Sequence, residues 1–143
     1  MHLERATRVL EPGPKGSFDN GYAGTAGAYR APDGRLYAFY HAEDHNAELP
    51  RQAWYYSGWY GSMGVAVSLD EGRTFRKLGP ALTSAKPDLS TVEGESTWGV
   101  AAPSVVLDRT GTHLLAYYTE HSPGAGNRGV TICLARAAVA PQR

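Results

Sequence analysis

Residues 64–75, Gly-Val-Ala-Val-Ser-Leu-Asp-Glu-Gly-Arg-Thr-Phe, decide the fold of this chain. Residues 64–68 alternate small and apolar side chains, as a half-buried strand does, and the Asp-Glu-Gly at 70–72 supplies the residue types that tight turns prefer. A second β-type segment begins directly after the turn. The stretch therefore predicts a β-hairpin with the pattern Ser-x-Asp-x-Gly-x-Thr-aromatic, carried by Ser68, Asp70, Gly72, Thr74 and Phe75.

The composition limits both the fold class and the partners. The 143 residues correspond to one ordinary domain, and 14 basic residues balance 14 acidic ones, so no bulk field attracts nucleic acid or an anionic membrane. Cys133 is the only cysteine, which excludes an intrachain disulfide. The 17 Gly, nine Pro and nine Tyr residues favour many short strands and tight turns. We therefore expect an all-β domain with no nucleic-acid partner and no membrane partner.

The N-terminal sequence does not resemble a targeting segment. Residues 1–8, Met-His-Leu-Glu-Arg-Ala-Thr-Arg, mix charges where a signal peptide needs a continuous apolar core. No later run approaches the roughly 20 apolar residues of a membrane-spanning helix. We expect a soluble chain without a signal peptide, and the sequence leaves its compartment open.

The hairpin is part of a predicted four-stranded unit. A tight turn at Ala31-Pro32-Asp33-Gly34 joins the first two strands, because Pro and Asp-Gly occupy positions that such turns favour. A long irregular segment is predicted to follow the second strand and to extend to Ser62. The four strands are expected over residues 22–30, 36–41, 64–68 and 76–82.

A second region repeats this order. The Ala-Phe-Tyr-His at 38–41 is matched by the Ala-Tyr-Tyr-Thr at 116–119, and residues 64–69 are matched by residues 129–134. Four-stranded repeats of this size are typical of β-propeller blades. The predicted strands of the second region cover 103–107, 114–119 and 129–135. We divide the chain into residues 3–16 (the last strand of a preceding blade, over 3–10, and a connector), 17–83 (a full blade) and 84–139 (most of a second blade).

The hairpin motif resembles the Asp-box, or BNR repeat, of sialidase-like and five-bladed glycosidase β-propellers. Residues 33–40 and 102–108 are similar to blade strands of these enzymes, and the resemblance covers most of residues 18–135. It implies a carbohydrate-active, glycoside hydrolase-like protein, or alternatively a non-catalytic Asp-box module that binds glycan or protein. It also implies that the motif itself is structural, since these boxes lie on the blade periphery.

The length predicts an open arrangement. A closed propeller needs at least about four blades, whereas this sequence accounts for about two. Unpaired strand edges promote pairing with other chains. We therefore expect self-association through the open edges, or association with the remainder of a propeller.

Two carboxylates match the positions that the resemblance implies for catalysis. Glycoside hydrolysis needs two carboxyl groups facing one sugar, and in propeller glycosidases these acids lie where inner strands begin. Asp19 precedes the first inner strand, and Glu95, with Glu93 nearby, precedes the next one. The structural alternatives are an Asx-turn role for Asp19 and a solvated loop carboxylate for Glu95.

The densest titratable cluster is His41-Ala42-Glu43-Asp44-His45. On a strand His41, Glu43 and His45 share one face. They could form a polar rim that contacts ligand, with Glu43 as a third catalytic candidate. A metal site would need further ligands that the sequence does not signal, so we expect no metal and no cofactor. The Thr-Glu-His at 119–121 occupies the same place in the second repeat, which predicts that the two strand ends line a common surface.

Aromatic and arginine residues complete the predicted binding set. The segment 54–60 is rich in Trp and Tyr, which either pack under a loop or stack on sugar rings. The Tyr-Arg-Ala-Pro at 29–32 is similar to the sialidase motif whose arginine binds a carboxylate, but an Asp-Gly turn follows it at once. Nucleophile-elbow, phosphate-loop and paired-Cys motifs are absent from the sequence. The predicted substrate-binding residues are Arg30, His41, His45, Trp54, Trp59 and Trp98.

Overall fold

The computed structural model describes residues 6–45, 58–85, 97–121 and 131–139, and over these residues the protein is all-β. Within this part of the chain, no helix is long and apolar enough to cross a membrane. The strands are β1 (Tyr22–Arg30), β2 (Leu36–Asp44), β3 (Trp59–Ser68), β4 (Arg76–Thr83), β5 (Thr97–Leu107), β6 (His113–Glu120) and β7 (Thr131–Ala138).

The strands form two antiparallel meanders joined through β3. Strands β1–β4 make the first meander and β5–β7 the second. The first residues of β3 and β5 run parallel, with Trp59 opposite Thr97 and Gly61 opposite Gly99. Over the described residues the seven-stranded sheet is open, as expected, because its order runs from β1 to β7 without a pairing that closes it.

A central core lies between the two meanders. Phe39 and Met63 come from the first meander, and Val105 and Ala116 come from the second. The opposite face of the first meander, the far face, carries Tyr40, Ala42 and Ala66. Because successive residues of a strand point to opposite faces, Phe39 and His41 lie on the core side of β2 while Tyr40 lies on the far face. The side chains that cover the far face include Leu10, Phe18 and Phe75.

The prediction of a strand over residues 3–10 is wrong for its described part, residues 6–10. This segment lies across the far face instead of pairing with a strand edge, because Leu10 packs against the cluster around Tyr40. Pro12 and Pro14 follow it, and proline cannot donate a ladder hydrogen bond. The segment therefore serves as a cover for the sheet.

For two strands the predicted first residue lies several residues after the observed one. The structure starts β3 at Trp59 instead of residue 64, and the residues that precede the predicted start pair with both β2 and β5. The structure likewise starts β5 at Thr97 instead of residue 103. The local sequence does not indicate either start, because these residues form strands only by pairing with a distant segment.

The predicted match between residues 64–69 and 129–134 is out of register. Phe39 pairs with Val65 and Tyr117 pairs with Leu134, so Leu134 is the counterpart of Val65. The predicted alignment placed Val130 there. A shift by an even number of residues keeps every side chain on its own face, so hydrophobic alternation alone does not detect it.

The turn from Ser68 to Phe75 is closed by side-chain hydrogen bonds. The hydroxyl oxygen of buried Ser68 accepts from the backbone N–H of Gly72 at 2.8 Å and donates to Asp70 at 2.8 Å. Asp70 accepts from the backbone N–H and the hydroxyl of Thr74 at 2.9 and 2.6 Å. These bonds, first that from the Thr74 hydroxyl, hold the pKa of Asp70 at about 2. Gly72 has φ +84°, so the motif has the structural role that was expected.

A Ser68→Ala substitution should destabilise the protein by about 1–2 kcal/mol. The reason is that the backbone N–H groups of Asp70 and Gly72 both lose the buried Ser68 hydroxyl as their acceptor. Thermal unfolding and urea titration measure the effect. Ser104→Ala is the matched control, since Ser104 is exposed on β5 and should change stability by less than about 0.5 kcal/mol. Equal stability of both variants would show that the hydroxyl of Ser68 does not hold the turn.

Candidate functional site

A carboxylate lies between two imidazoles at the end of β2. The Glu43 side chain is only 14% exposed, and its Oε2 is 2.6 Å from Nε2 of His45. Its Oε1 is 3.8 Å from Nε2 of His41. The three side chains therefore share one face of the strand end, as the alternation of β2 predicted.

Aromatic rings continue this group onto neighbouring strands. The ring of His41 meets those of Tyr22 and Trp59 edge to face, with centroids 5.7 and 5.4 Å apart. Trp59 in turn lies 6.0 Å from the ring of His121, which follows β6. The prediction that the ends of the two repeats line a common surface is thereby confirmed. We call Tyr22, His41, Glu43, His45, Trp59 and His121 the His41 cluster.

The Asn20-Gly21 pair fixes the backbone of this strand end. The Asn20 side chain donates to Asp44 at 2.7 Å and accepts from the backbone N–H of His45 at 3.1 Å. Gly21 donates its N–H to the carbonyl of Glu43 at 2.9 Å. A Cβ on Gly21 would lie 2.1 Å from the His45 ring, so a larger residue there would displace the imidazole. Sequence reasoning did not single out Asn20, although Asn-Gly is a strong turn signal.

Burial governs the charge of His41. It lowers the pKa of the His41 imidazole, the charge of Glu43 opposes this effect, and His121 adds to it. Nε2 of His41 is buried and has no hydrogen-bond partner among the described residues. The lowered pKa keeps His41 neutral at pH 7.

The depressed pKa of His41 makes stability fall in acid. Below about pH 6.5 the unfolded chain binds the proton more readily than the folded chain. The stabilisation that neutral His41 gives to the folded state is therefore complete above that pH and is lost as the pH falls. Urea unfolding between pH 8 and 5 should show this loss, and His41→Gln should reduce the slope in this range. An identical pH slope in the variant would contradict the buried neutral state of His41.

Asp19 lies on the far face, away from Glu43. Its side chain is nearly fully buried, forms an ion pair with Lys77 and accepts from the Tyr40 hydroxyl at 3.1 Å. Ser17 donates to its other oxygen at 2.9 Å. Burial and then the Asp19 carboxylate raise the pKa of Tyr40, which stays protonated. Asp19 and Lys77 also line an open cavity of about 550 Å³ beneath residues 8–18. These partners give Asp19 a structural role and separate it from the His41 cluster.

Arg30 lies at the opposite end of the meander. It pairs with Leu36 where β2 begins, whereas Glu43 is paired with Tyr22 near the other end of the same strands. Its guanidinium binds both carboxylate oxygens of Glu71, at 3.2 and 2.8 Å. The structure thus connects Arg30 to the turn that follows Ser68 and does not bring it into the His41 cluster.

Trp98 is a packing residue. It is buried opposite Tyr60 in the parallel pairing of β3 and β5, and its indole N–H has no partner among the described residues. Nearby, the hydroxyl of Tyr60 donates to the carbonyl of Ser84, whose own hydroxyl donates to Glu120. Burial, and then the charge of Glu120, raise the pKa of Tyr60. Sequence reasoning did not identify Glu120 as a buried carboxylate.

A second turn, between β5 and β6, is also held by an aspartate. Asp108 accepts from the backbone N–H of Thr112 at 2.8 Å and from the hydroxyl of Thr110 at 2.8 Å. Burial raises the pKa of Asp108, but these hydrogen bonds and that from His113 outweigh it and bring the pKa to about 2.

The remaining predicted site residues, Glu93, Glu95 and Trp54, lie outside the described residues. Across residues 6–45, 58–85, 97–121 and 131–139, no group of three or more His, Cys, Asp or Glu side chains is arranged to hold a metal ion. The site that the structure assembles from the predicted set is therefore the one around Glu43.

No protein-family model, no curated protein and no solved structure matched this chain.

What the site can do follows from its side chains. The His41 cluster offers one carboxylate, three imidazoles and two large aromatic rings at a single end of the sheet. Such a set can accept and donate several hydrogen bonds beside an apolar ring face.

Proposed function

We propose that this chain binds carbohydrate at the His41 cluster. The observation that carries the proposal is the Glu43 carboxylate held between His41 and His45, beside the ring of Trp59. A carboxylate accepts hydrogen bonds from sugar hydroxyls, and imidazoles both donate and accept them. The face of an indole packs against the apolar face of a pyranose ring. The cluster combines both kinds of contact within one strand end.

The same proposal includes an Asp-box propeller-like architecture. Its support is the hydrogen-bonded turn from Ser68 to Phe75 and the repetition of the first hairpin. Register shifts occur between Thr25 and Gly27 in β1 and between Ala101 and Ser104 in β5, at equivalent points of the two meanders. Packing of the two meanders around one core is compatible with blades, which stack in this way.

Binding is favoured over hydrolysis by the positions of the carboxylates. Hydrolysis requires two carboxyl groups about 5–9.5 Å apart around one sugar. Among the residues that the structure describes, Glu43 is the carboxylate of the His41 cluster, and Asp19 is bound to Lys77 on the far face. Glycoside hydrolysis is the second candidate. It is favoured by the 2.6 Å contact between Glu43 and His45, which keeps a proton donor or acceptor beside a mostly buried carboxylate.

The experiment is a titration with a panel of neutral, amino and acidic sugars. Tryptophan fluorescence and calorimetry measure binding, and a separate analysis measures any released sugar. We expect saturable binding with Kd of about 0.1–1 mM, which corresponds to about −4 to −5.5 kcal/mol. Binding without released product supports the binding function. Release that disappears in Glu43→Gln would support hydrolysis, and absence of saturable binding across the panel would contradict both functions.

A further inference from the structure

The edge of β7 that faces away from β6 has no partner strand among the described residues. β7 pairs with β6 over the whole of Thr131–Ala138 without a register shift. In an antiparallel pair, alternate residues bond to the neighbouring strand, and the residues between them direct their N–H and C=O groups to the other side. This free side of β7, which we call the β7 edge, therefore presents a row of backbone donors and acceptors.

The internal repeat shows which kind of structure fits the β7 edge. Leu134 of β7 is the counterpart of Val65 of β3, as their pairing with β6 and β2 shows. In the first meander, β4 pairs antiparallel with residues 62–67 of β3, on the side away from β2. The same register assigns residues 131–136 of β7 to these positions. Over the described residues, the second meander thus has the counterpart of β3 but no counterpart of β4.

The other two edge strands of the sheet are irregular, whereas β7 is regular. β1 has a register shift between Thr25 and Gly27, and β4 has two register shifts against β3 and contains Pro80. Such irregularities protect edges from pairing with other chains. β7 has the sequence Thr-Ile-Cys-Leu-Ala-Arg-Ala-Ala, with neither Gly nor Pro, and most of its residues are exposed. The β7 edge is therefore suited to pairing.

The side chains of β7 determine the order of residues that an added strand needs. Ala135 packs against the central core, so Ile132, Leu134 and Arg136 lie on the opposite face. Ile132 and Leu134 are 78% and 53% exposed, and the exposed Arg136 donates to His113 at 3.0 Å. Apolar pairs and pairs of opposite charge stabilise neighbouring strands. An antiparallel strand therefore fits with an acidic residue opposite Arg136, followed by apolar residues opposite Leu134 and Ile132.

We propose that the β7 edge binds an extended peptide segment of a partner protein by β-strand addition. The peptide runs antiparallel to β7 and has the residue order acidic-x-apolar-x-apolar. β4 shows the same arrangement within the chain, because its Leu82 lies opposite Met63, the counterpart of Ile132. In this mode of recognition the backbone hydrogen bonds supply affinity and the alternate side chains supply specificity. Arg136 sets the direction of the peptide, since this residue order brings the acidic residue to Arg136 only in an antiparallel strand.

Fluorescence anisotropy of the full chain with the labelled peptide Thr-Glu-Thr-Val-Thr-Val-Thr tests the proposal. We expect saturable binding with a Kd of about 10–100 µM. Leu134→Lys should weaken binding about fivefold without lowering the melting temperature, because Leu134 is more than half exposed. Leu69→Lys is the matched control, since Leu69 is 80% exposed in the turn after β3 and should bind the peptide as the wild type does.

Two further measurements separate strand addition from other contacts. Exchange of the peptide's Glu for Lys should weaken binding to the wild type about fivefold, and Arg136→Glu should restore it. N-methylation of the peptide, either at its Val residues or at the Thr residues before them, removes one of the two sets of backbone donors. Because one set faces β7 and the other faces solvent, one methylated peptide should bind and the other should not.

The proposal is overturned by absence of saturable binding up to about 1 mM peptide. It is also overturned if the affinity changes neither in Leu134→Lys nor on the exchange of charges. Equal affinity of the two methylated peptides would exclude a backbone ladder along β7. A dimer of the chain alone, measured by sedimentation velocity and dissociated by Leu134→Lys, would assign the β7 edge to a second copy instead.

Discussion

Lys77→Met is expected to destabilise the protein by about 3 kcal/mol. Lys77 is the ionic partner of Asp19, whose side chain is 2% exposed. Removing the cation leaves a buried carboxylate without a compensating charge, and breaking buried ion pairs costs about 3–5 kcal/mol. The lower value applies because Lys77 itself is 28% exposed. The melting temperature should fall by about 10 °C.

Asp19→Asn should cost less, about 1–2 kcal/mol, since the remaining Lys77 ammonium can reach water and the amide retains hydrogen bonds to its neighbours. The double variant should therefore be more stable than Lys77→Met alone, and a double-mutant cycle measures the coupling. The exposed pair of Arg30 and Glu71 supplies the control: Arg30→Met should cost less than about 1 kcal/mol. Equal costs for Lys77→Met and Arg30→Met would show that the Asp19 pair is not buried in solution.

Glu43→Gln is expected to lower sugar affinity by about 10- to 100-fold while leaving the fold intact. The substitution keeps the shape of the side chain but removes its charge, and hydrogen bonds to a charged group contribute about 1.5–3 kcal/mol. It also changes the contact with His45, so the orientation of that imidazole is affected. Calorimetry measures the affinity, and the melting temperature reports on the fold.

Glu71→Gln is the matched control for Glu43→Gln, because Glu71 is an exposed carboxylate at the opposite end of the meander. It should bind sugar as the wild type does. An affinity of Glu43→Gln within about twofold of the control would exclude Glu43 from the binding site. A change of that size corresponds to only about 0.4 kcal/mol.

The parts of the fold that depend on local chemistry could be predicted from the sequence. The limits of β1 agree with the prediction, and the turn after Ser68 forms through the residues that suggested it. The start of β3 could not be predicted, because residues 59–63 lack a regular alternation and form a strand only by pairing with β2 and β5. The register of β7 was ambiguous because alternation is unchanged by an even shift.

The candidate site also has a part that local sequence predicts and a part that only long-range contacts determine. The period of a strand placed His41, Glu43 and His45 on one face, and the structure agrees. The ion pair that gives Asp19 a structural role joins residues 58 positions apart, and nothing near Asp19 in the sequence indicates Lys77. The position of His121 was suggested only by the repeat. Long-range pairing therefore decided which titratable residues form the site.

The most direct test of carbohydrate binding at the His41 cluster is nuclear magnetic resonance of the labelled protein during a titration with the tightest-binding sugar. The indole N–H signal of Trp59 and the ring signals of His41 and His45 should shift together along one binding curve. The amide signals of the turn at residues 69–75 should not move. Saturable shifts confined to the turn or to the far face, with the Trp59 signal unchanged, would contradict the proposed site.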